Sequence, residues 1–595
     1  MKTIIMTALS TLLGLTSLAA SATEFEPFQT YTRPALPLNG EWKIIVDPYE
    51  NGYYNYRYEP FDQMDNPPRS AYFRDAKPRH SGELIEYDFD ASESLTVPGD
   101  WNTQKEKLYY YEGSIWYRKL FNAPATEGKQ RTFLHFGAAN YRADVYLNGE
   151  KLGHHVGGFT PFYFETTGKL KPQGNSLVVK VDNKRQRDGV PTLNTDWWNY
   201  GGITRSVRLL VTPEVFVRDY KIQLNDHKTG ELSGYAVVDG AGAGREVRLT
   251  LPQLNIDVRA TTNAEGVATF SARAVGAQLW SPDSPRMYQV IVRTGNDRLD
   301  DEVGLRTIEA EGKQLLLNGK PIFLRGISLH EEYAVDGGGR VTSVEEARKQ
   351  LQWARDLNAN FVRLAHYPHN EHIVRLADQL GVMLWSEIPV YWTINWDSEE
   401  TYQNAQAQLE EMIGRDKNRA SIIIWSLANE TPVGEARNRF LTRLADRARS
   451  LGSSRLAGTM DCTKKPSGLL GTYRTTSRCL SASSEPVPSR ACRATPTPSG
   501  PRPIRPSCTA KPWPCSTRTM VLSVPHPGFW RISARRVVRC REFRTTSTAR
   551  ACCPKPAYPR RPLACSANTI ASALWSGSLW KRPNRVSSIP ATLKA

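Results

Sequence analysis

Hydrophobic and polar positions follow three different rules along this chain. From about Phe25 to Leu210 they alternate in short runs broken by turns, as in the stretch RTFLHFGAANYRADVYLNGEKLG. Alternation with a period of two predicts half-buried β-strands. Asn148-Gly149 between two such runs predicts a two-residue hairpin. Thr212 to about Ile308 holds further strand-like runs, such as VFVRDYKIQL and MYQVIVRT, with a hairpin turn expected at Asn263–Gly266. About seven short strands in such a length suit an immunoglobulin-like sandwich. From Gln314 the rule changes to strand, helix, strand, helix. Apolar strands are expected at Pro321–Ile327, Asn360–Ala365, Val382–Ile388 and Ser421–Glu430. Ser343 and Glu346 form a capping box that opens the first helix, and Gly381 stops the next one after His372–Leu380. These strands are apolar on both faces, as in a covered parallel sheet. Their starts lie roughly 20–40 residues apart, the repeat of a (β/α)8 barrel.

After about Met460 no periodicity remains, and here composition changes the picture. The 595 residues carry a formal charge of +17, which by itself suggests a polyanionic partner. Residues 461–595 hold 24 Lys+Arg against three acids, Asp461, Glu485 and Glu542, a balance of +21. The first 460 residues keep 53 of the 77 bases and 57 of the 60 acids, a balance of −4. All nine cysteines and 18 of the 39 prolines also fall in the tail. Three readings compete for it. A basic arm is one, and a cysteine-rich module is another, although nine is odd and the spacing follows no ligand or disulfide pattern. Translation out of frame is the third, and it alone accounts for a simultaneous change in charge, Cys, Pro and patterning. The expected division is therefore a signal peptide at 1–22, a jelly-roll domain at 23–210, an immunoglobulin-like sandwich at 211–308, the N-terminal half of a TIM barrel at 309–460, and a basic, disordered tail at 461–595. Lys2, the apolar run Ile4–Leu18 and the small residues Ala20-Ser21-Ala22 make the signal reading, hence a periplasmic or secreted protein. Past that run no apolar stretch is long enough to span a membrane.

In such barrels the working groups sit at the C-terminal ends of the strands. Polar groups are expected there at His330-Glu331-Glu332, at Arg363 with His366, at Glu387 and at Asn429-Glu430. An apolar strand that stops at a carboxylate suits a general acid, because apolar walls help the carboxyl keep its proton. An adjacent amide suits a sugar hydroxyl. Glu387 reads as structural rather than catalytic. Tyr391, Trp392 and Trp396 offer stacking surfaces, with core or loop packing as their ordinary role.

Two long motifs, DKNRASIIIWSLANE (Asp416–Glu430) and NFVRLAHYPHNE (Asn360–Glu371), resemble signatures of glycoside hydrolase family 2. YYYEGSIWYRKLF, VYLNGEKLG, DWWNYGGITRSV and LNGKPIFLRGIS resemble its N-terminal domain and barrel entrance. The resemblance covers about Leu36 to Arg455. It implies a retaining exo-β-glycosidase acting on β-glucuronides or β-galactosides without a cofactor. It implies Glu430 as acid/base and Asn429 as a contact to the sugar 2-hydroxyl. Arg363, His366 and His330 match positions that line or support the site, and Asp196 matches an acid that reaches the sugar. The nucleophile, a Glu on the seventh strand, belongs about 90 residues beyond Glu430 at roughly 30 residues per unit. No acid lies between Glu485 and Glu542, and Glu542 follows no apolar strand. No nucleophile is therefore identified, and the chain as written is expected to be inactive. The alternatives are a non-catalytic carbohydrate-binding protein and a polyanion binder acting through the tail. A carbohydrate partner, no nucleic acid, no membrane and no metal are expected, with homo-oligomerisation left open.

Overall fold

A computed structural model describes residues 26–453, except 84, 86, 126–127, 313 and 334–337, and the strand backbones at 480–481, 520–526 and 529–533. The expected signal peptide and most of the basic tail lie outside the described residues. The chain forms two compact units, residues 1–195 with 199–536, and residues 196–198 with 537–595. All described strands and helices belong to the first.

Residues 35–213 form two antiparallel sheets. One runs in the order Ser94–Val97, Gly40–Asp47, Ser114–Phe121, Asn175–Asp182, Arg142–Leu147, Glu150–Val156. The other runs Ala35–Pro37, Val207–Pro213, Gln130–Phe136, Phe162–Glu165. Trp42, Ile115, Tyr117, Leu134, Phe136, Val179 and Leu209 fill the space between them. The expected hairpin forms at Asn148-Gly149, with φ of 54° and 86°. A primed turn needs both values positive, which asparagine and glycine tolerate best.

Residues 216–304 hold seven strands in two sheets. Phe216–Asp226, Glu231–Asp239 and Val267–Arg273 make one sheet, and Ile256–Thr261, Glu246–Leu251, Met287–Thr294 and Asp297–Gly304 make the other. The turn at Asn263–Gly266 exists, closed by the Asn263 carbonyl accepting from Gly266. It is not a hairpin, because its flanking strands pair in different sheets. Each pairs elsewhere, Ile256–Thr261 with Glu246–Leu251 and Val267–Arg273 with Glu231–Asp239.

Four parallel strands follow: β1 (Arg325–Leu329), β2 (Phe361–Leu364), β3 (Met383–Glu387) and β4 (Ile422–Ser426). Between and after them come α1 (Val344–Asp356), α2 (Glu371–Leu380), α3 (Glu399–Asp416) and α4 (Glu435–Ala448). Every residue of β2, β3 and β4 is buried. Val362, Leu364, Leu384, Ile422 and Trp425 pack with the helices, whereas Phe361, Met383, Trp385, Ile423 and Ile424 pack in a second cluster. That is why these strands read as unbroken apolar runs. Ser343 accepts from Glu346 N–H at the start of α1 and Glu346 returns the bond, so the capping box is present. Gly381, at φ 71°, ends α2.

Two strand expectations shift. Pro321–Ile327 is not one strand: Lys320–Pro321 pairs with Gln314–Leu317 in a separate small sheet, and β1 begins only at Arg325. Asn318-Gly319, with φ of 53° and 72°, makes the turn that pulls Pro321 aside. The fourth strand is shorter than Ser421–Glu430 and ends at Ser426. On its other side, β1 is extended antiparallel by Met520–His526, followed by Phe529–Ser533 and Leu480–Ser481.

Candidate active site

Arg363, on β2, and Glu387, the last residue of β3, face each other because their strands pair in parallel register. Arg363 Nη2 donates to Glu387 Oε1 at 2.7 Å and Nε to Oε2 at 3.1 Å, a two-point grip. Trp385 Nε1 donates to the same Oε2 at 2.8 Å. His366 Nδ1 lies 2.9 Å from Glu387 Oε1. With its proton on Nδ1, His366 donates to the carboxylate, and the 3.0 Å approach of Arg363 Nη2 to that nitrogen is a close contact rather than a second bond. Burial alone would raise the Glu387 carboxyl, but the Arg363 charge and the His366 bond outweigh it and hold it at about 2. Glu387 is therefore a buried anion held by Arg363, His366 and Trp385.

The network reaches the loop after β4. Arg363 Nη2 donates to Asn429 Oδ1. Asn429 N–H donates to the Val390 carbonyl at 2.9 Å, and its own carbonyl accepts from Trp392 N–H at 3.0 Å. The Asn429 backbone is thus held on both sides, and its side chain at Oδ1. Its Nδ2 is buried and has no hydrogen-bond partner among the described residues. A buried amide donor without an acceptor is costly.

Glu430 follows at φ 50°, in the left-handed backbone region. It is exposed, and Trp392 Nε1 donates to its Oε2 at 3.1 Å. The apolar enclosure expected around this carboxyl is not found among the described residues. The strand stops four residues earlier, so Glu430 stands on a loop rather than at the strand end.

His330 lies just past β1, its ring 5.3 Å from that of His366. His330 Nδ1 is 3.4 Å from the Tyr367 hydroxyl. Asp196 is exposed in the connection from Asn175–Asp182 to Val207–Pro213, within the small second unit. Tyr391 is buried with its ring 5.0 Å from His366, and Trp396 packs on Phe440 at 5.4 Å, so both serve packing. Trp392 is the exposed member of the three.

Sequence reasoning missed one support of this site. Glu331 is buried, and its Oε2 accepts from Arg205 Nη2 at 2.8 Å and from Asn370 N–H at 2.7 Å. Arg205 also donates to the carbonyls of Phe159 and Pro368. One ion pair thereby ties the first sandwich to the loop that carries His366. Glu331 was visible in the sequence as part of a polar strand end, but its partner lies 126 residues away and carries no local signal.

Comparison with known proteins places these elements. The family model described as glycosyl hydrolases family 2, sugar binding domain, matches residues 38–213. The one described as glycosyl hydrolases family 2 matches 215–306, and the family's TIM barrel domain matches 308–467. A curated relative from Formosa agariphila is 32% identical over 394 residues, which is 61% of this chain but 47% of the relative. The chain thus spans about half the length of that relative. The beta-glucuronidase of Paenibacillus borealis is 27% identical, with 72% of this chain and 73% of the relative covered. Among solved structures, the Bifidobacterium dentium beta-glucuronidase complexed with coumarin-3-O-glucuronide aligns with a TM-score of 0.60 at 26% identity, covering 71% of this chain and 73% of that one. Among the described residues no helix is long and apolar enough to cross a membrane. With three domains of one family matched in order between residues 38 and 467, the chain belongs to glycoside hydrolase family 2.

Proposed function

We propose that the protein is the sugar-binding and proton-donating part of a periplasmic or secreted retaining exo-β-glycosidase for terminal β-glucuronides or β-galactosides. The observation that carries the reading is the unsatisfied Asn429 Nδ2 beside Glu430, held by the Arg363–Glu387 pair. In this reading Glu430 gives its proton to the glycosidic oxygen and Asn429 donates to the sugar 2-hydroxyl. Arg363 and Glu387 position Asn429, and His366 and His330 line the site. The names of the relatives favour a glucuronide.

Retention also needs a nucleophilic carboxylate about 5–5.5 Å from the acid. The stretch that should supply it has no acid between Glu485 and Glu542. The chain as written is therefore a binder that does not turn over, and the tail from about position 455 is an out-of-frame reading of the parent gene. Three measurements test this. The other reading frames past codon 455 must contain an apolar strand ending in Glu, and their lacking one sinks the frame reading. Titration calorimetry with D-glucuronic acid should give binding that Asn429→Ala weakens by about tenfold. Absence of binding, or an unchanged constant in the variant, overturns the site. Release of nitrophenol from a nitrophenyl β-glucuronide, lost in Glu430→Gln, overturns the inactivity instead.

A further inference from the structure

Strands Gly40–Asp47 and Ser94–Val97 pair side by side, yet the chain between them makes a long excursion over the outer face of their sheet. The inner side of this excursion buries Tyr53, Phe61, Tyr72, Phe73 and Phe89 against Trp116, Tyr146 and Val178. Its outer side does the opposite with the same residue type. Tyr49, Tyr56 and Tyr58 are 82%, 84% and 83% exposed.

These rings do not hang from a slack loop. Tyr54 and Pro60 form a bridge that closes it. Asn55 Oδ1 accepts from Arg57 N–H at 2.8 Å and from Glu59 N–H at 3.1 Å, and Asn55 Nδ2 donates to Glu59 Oε2 at 2.7 Å. Tyr58 N–H donates to the Asn55 carbonyl at 2.9 Å. Tyr58 sits at φ 60°, a backbone region that disfavours a bulky side chain. The ring leans on Tyr54, 6.5 Å between centroids, but stays exposed, so burial does not offset that strain. Strain held by a well-bonded loop and not returned by burial points to a use outside the fold.

The chemistry of the loop narrows the user. Tyr49–Pro60 contains no Val, Leu, Ile or Met, so the contiguous apolar centre of a protein interface is missing. Charge is largely spent locally: Glu50 is bonded to Lys180 and Lys184, and Glu59 to Asn55. What remains is flat rings with hydroxyl tips and the Arg57 guanidinium over Tyr56 at 5.2 Å. A β-linked pyranose with equatorial substituents offers the complement, an apolar C–H face rimmed by hydroxyls. Tyrosine can stack on that face, and Arg57 can donate to the rim.

We infer that the Tyr49–Pro60 loop is an accessory surface for an uncharged β-linked polysaccharide, separate from the barrel site. It anchors the protein to polymer and does not depend on turnover or on Glu430. The test is affinity electrophoresis of the full chain through gels containing soluble mixed-linkage β-glucan, β-galactan or dextran. High salt screens the basic tail. Retardation by β-glucan or β-galactan, but not by the α-linked dextran, is expected. Tyr56→Ala/Tyr58→Ala should weaken it by about tenfold. Tyr58→Gly removes a ring and relieves the φ 60° strain, so retardation should fall while the melting temperature holds or rises. No retardation by either β-polymer, equal retardation by dextran, or variants that migrate like wild type overturns the proposal. So does a dimer in sedimentation that these variants dissociate, because the tyrosines would then belong to a self-association surface.

Discussion

Glu387 carries the stability of the site at the scale of single residues. It is wholly buried and accepts from Arg363, His366 and Trp385, so its anion has no solvent to fall back on. Its folded value of about 2 lies below the ordinary glutamate range, so the native state binds fewer protons than the unfolded chain near pH 3–4. The stability it contributes is present in full above about pH 4.5 and is lost as pH falls through about 2. Glu387→Gln should flatten that acid limb in denaturation midpoints measured against pH. At neutral pH it should cost about 3–5 kcal/mol, because Arg363 is left buried and uncompensated. An acid limb as steep as wild type would show that the pair is not what holds the strand ends together. Residue types at this scale were legible in sequence: Arg363, His366, Asn429 and Glu430 all stand in motifs. What was not legible is their wiring, since Glu387 meets Arg363 only when β2 and β3 lie side by side.

Elements show a similar split between local signals and packing. The capping box of α1 and the glycine stop of α2 read directly from the chain, because both are satisfied within one turn. Gly381 also does something its sequence position does not announce. A Cβ there would stand 2.3 Å from the Pro282 carbonyl oxygen, where the second sandwich closes on the end of α2. Gly381→Ala therefore carries two penalties, the left-handed φ of 71° and this clash. Urea denaturation should register a loss of more than about 1 kcal/mol, above the ordinary cost of a left-handed alanine. A smaller loss would mean that Pro282 gives way without cost. Strand ends were the weakest part of the sequence reading. Ser421–Glu430 is apolar at six of its ten positions, Leu427 and Ala428 among them, but its backbone leaves the sheet at Ser426, and that choice is made by pairing rather than by hydropathy.

Arg205 and Glu331 set the relation of the first sandwich to the barrel units at the scale of the whole first unit. The pair is buried, and Arg205 spans to the Phe159 and Pro368 carbonyls on either side. Burial lowers Arg205 below its usual value despite the Glu331 charge, a sign of how fully water is excluded. Arg205→Met should destabilise by about 3–5 kcal/mol, whereas Arg205→Met with Glu331→Met should recover most of it, since replacing both partners is often neutral. Thermal unfolding of the two variants decides it. A double variant no better than the single would assign the loss to the carbonyl bonds rather than to the ion pair.

Local patterning by itself determined much of this protein. Alternation, unbroken apolar runs, caps and the Asn148-Gly149 turn specify two sandwiches and four β/α units, because each is satisfied by neighbours in the chain. The motifs around Glu430 carry the family resemblance, and the periodic pattern ends after Met460. The tertiary structure alone decided which groups meet. It joined Arg363 to Glu387 and Asn429, left Asn429 Nδ2 without a partner among the described residues, placed Glu430 on an exposed loop, and sorted the tyrosines of residues 48–93 into buried and exposed sets. Those outcomes depend on contacts between residues far apart in sequence, formed by burial and strand register, and no local pattern encodes them.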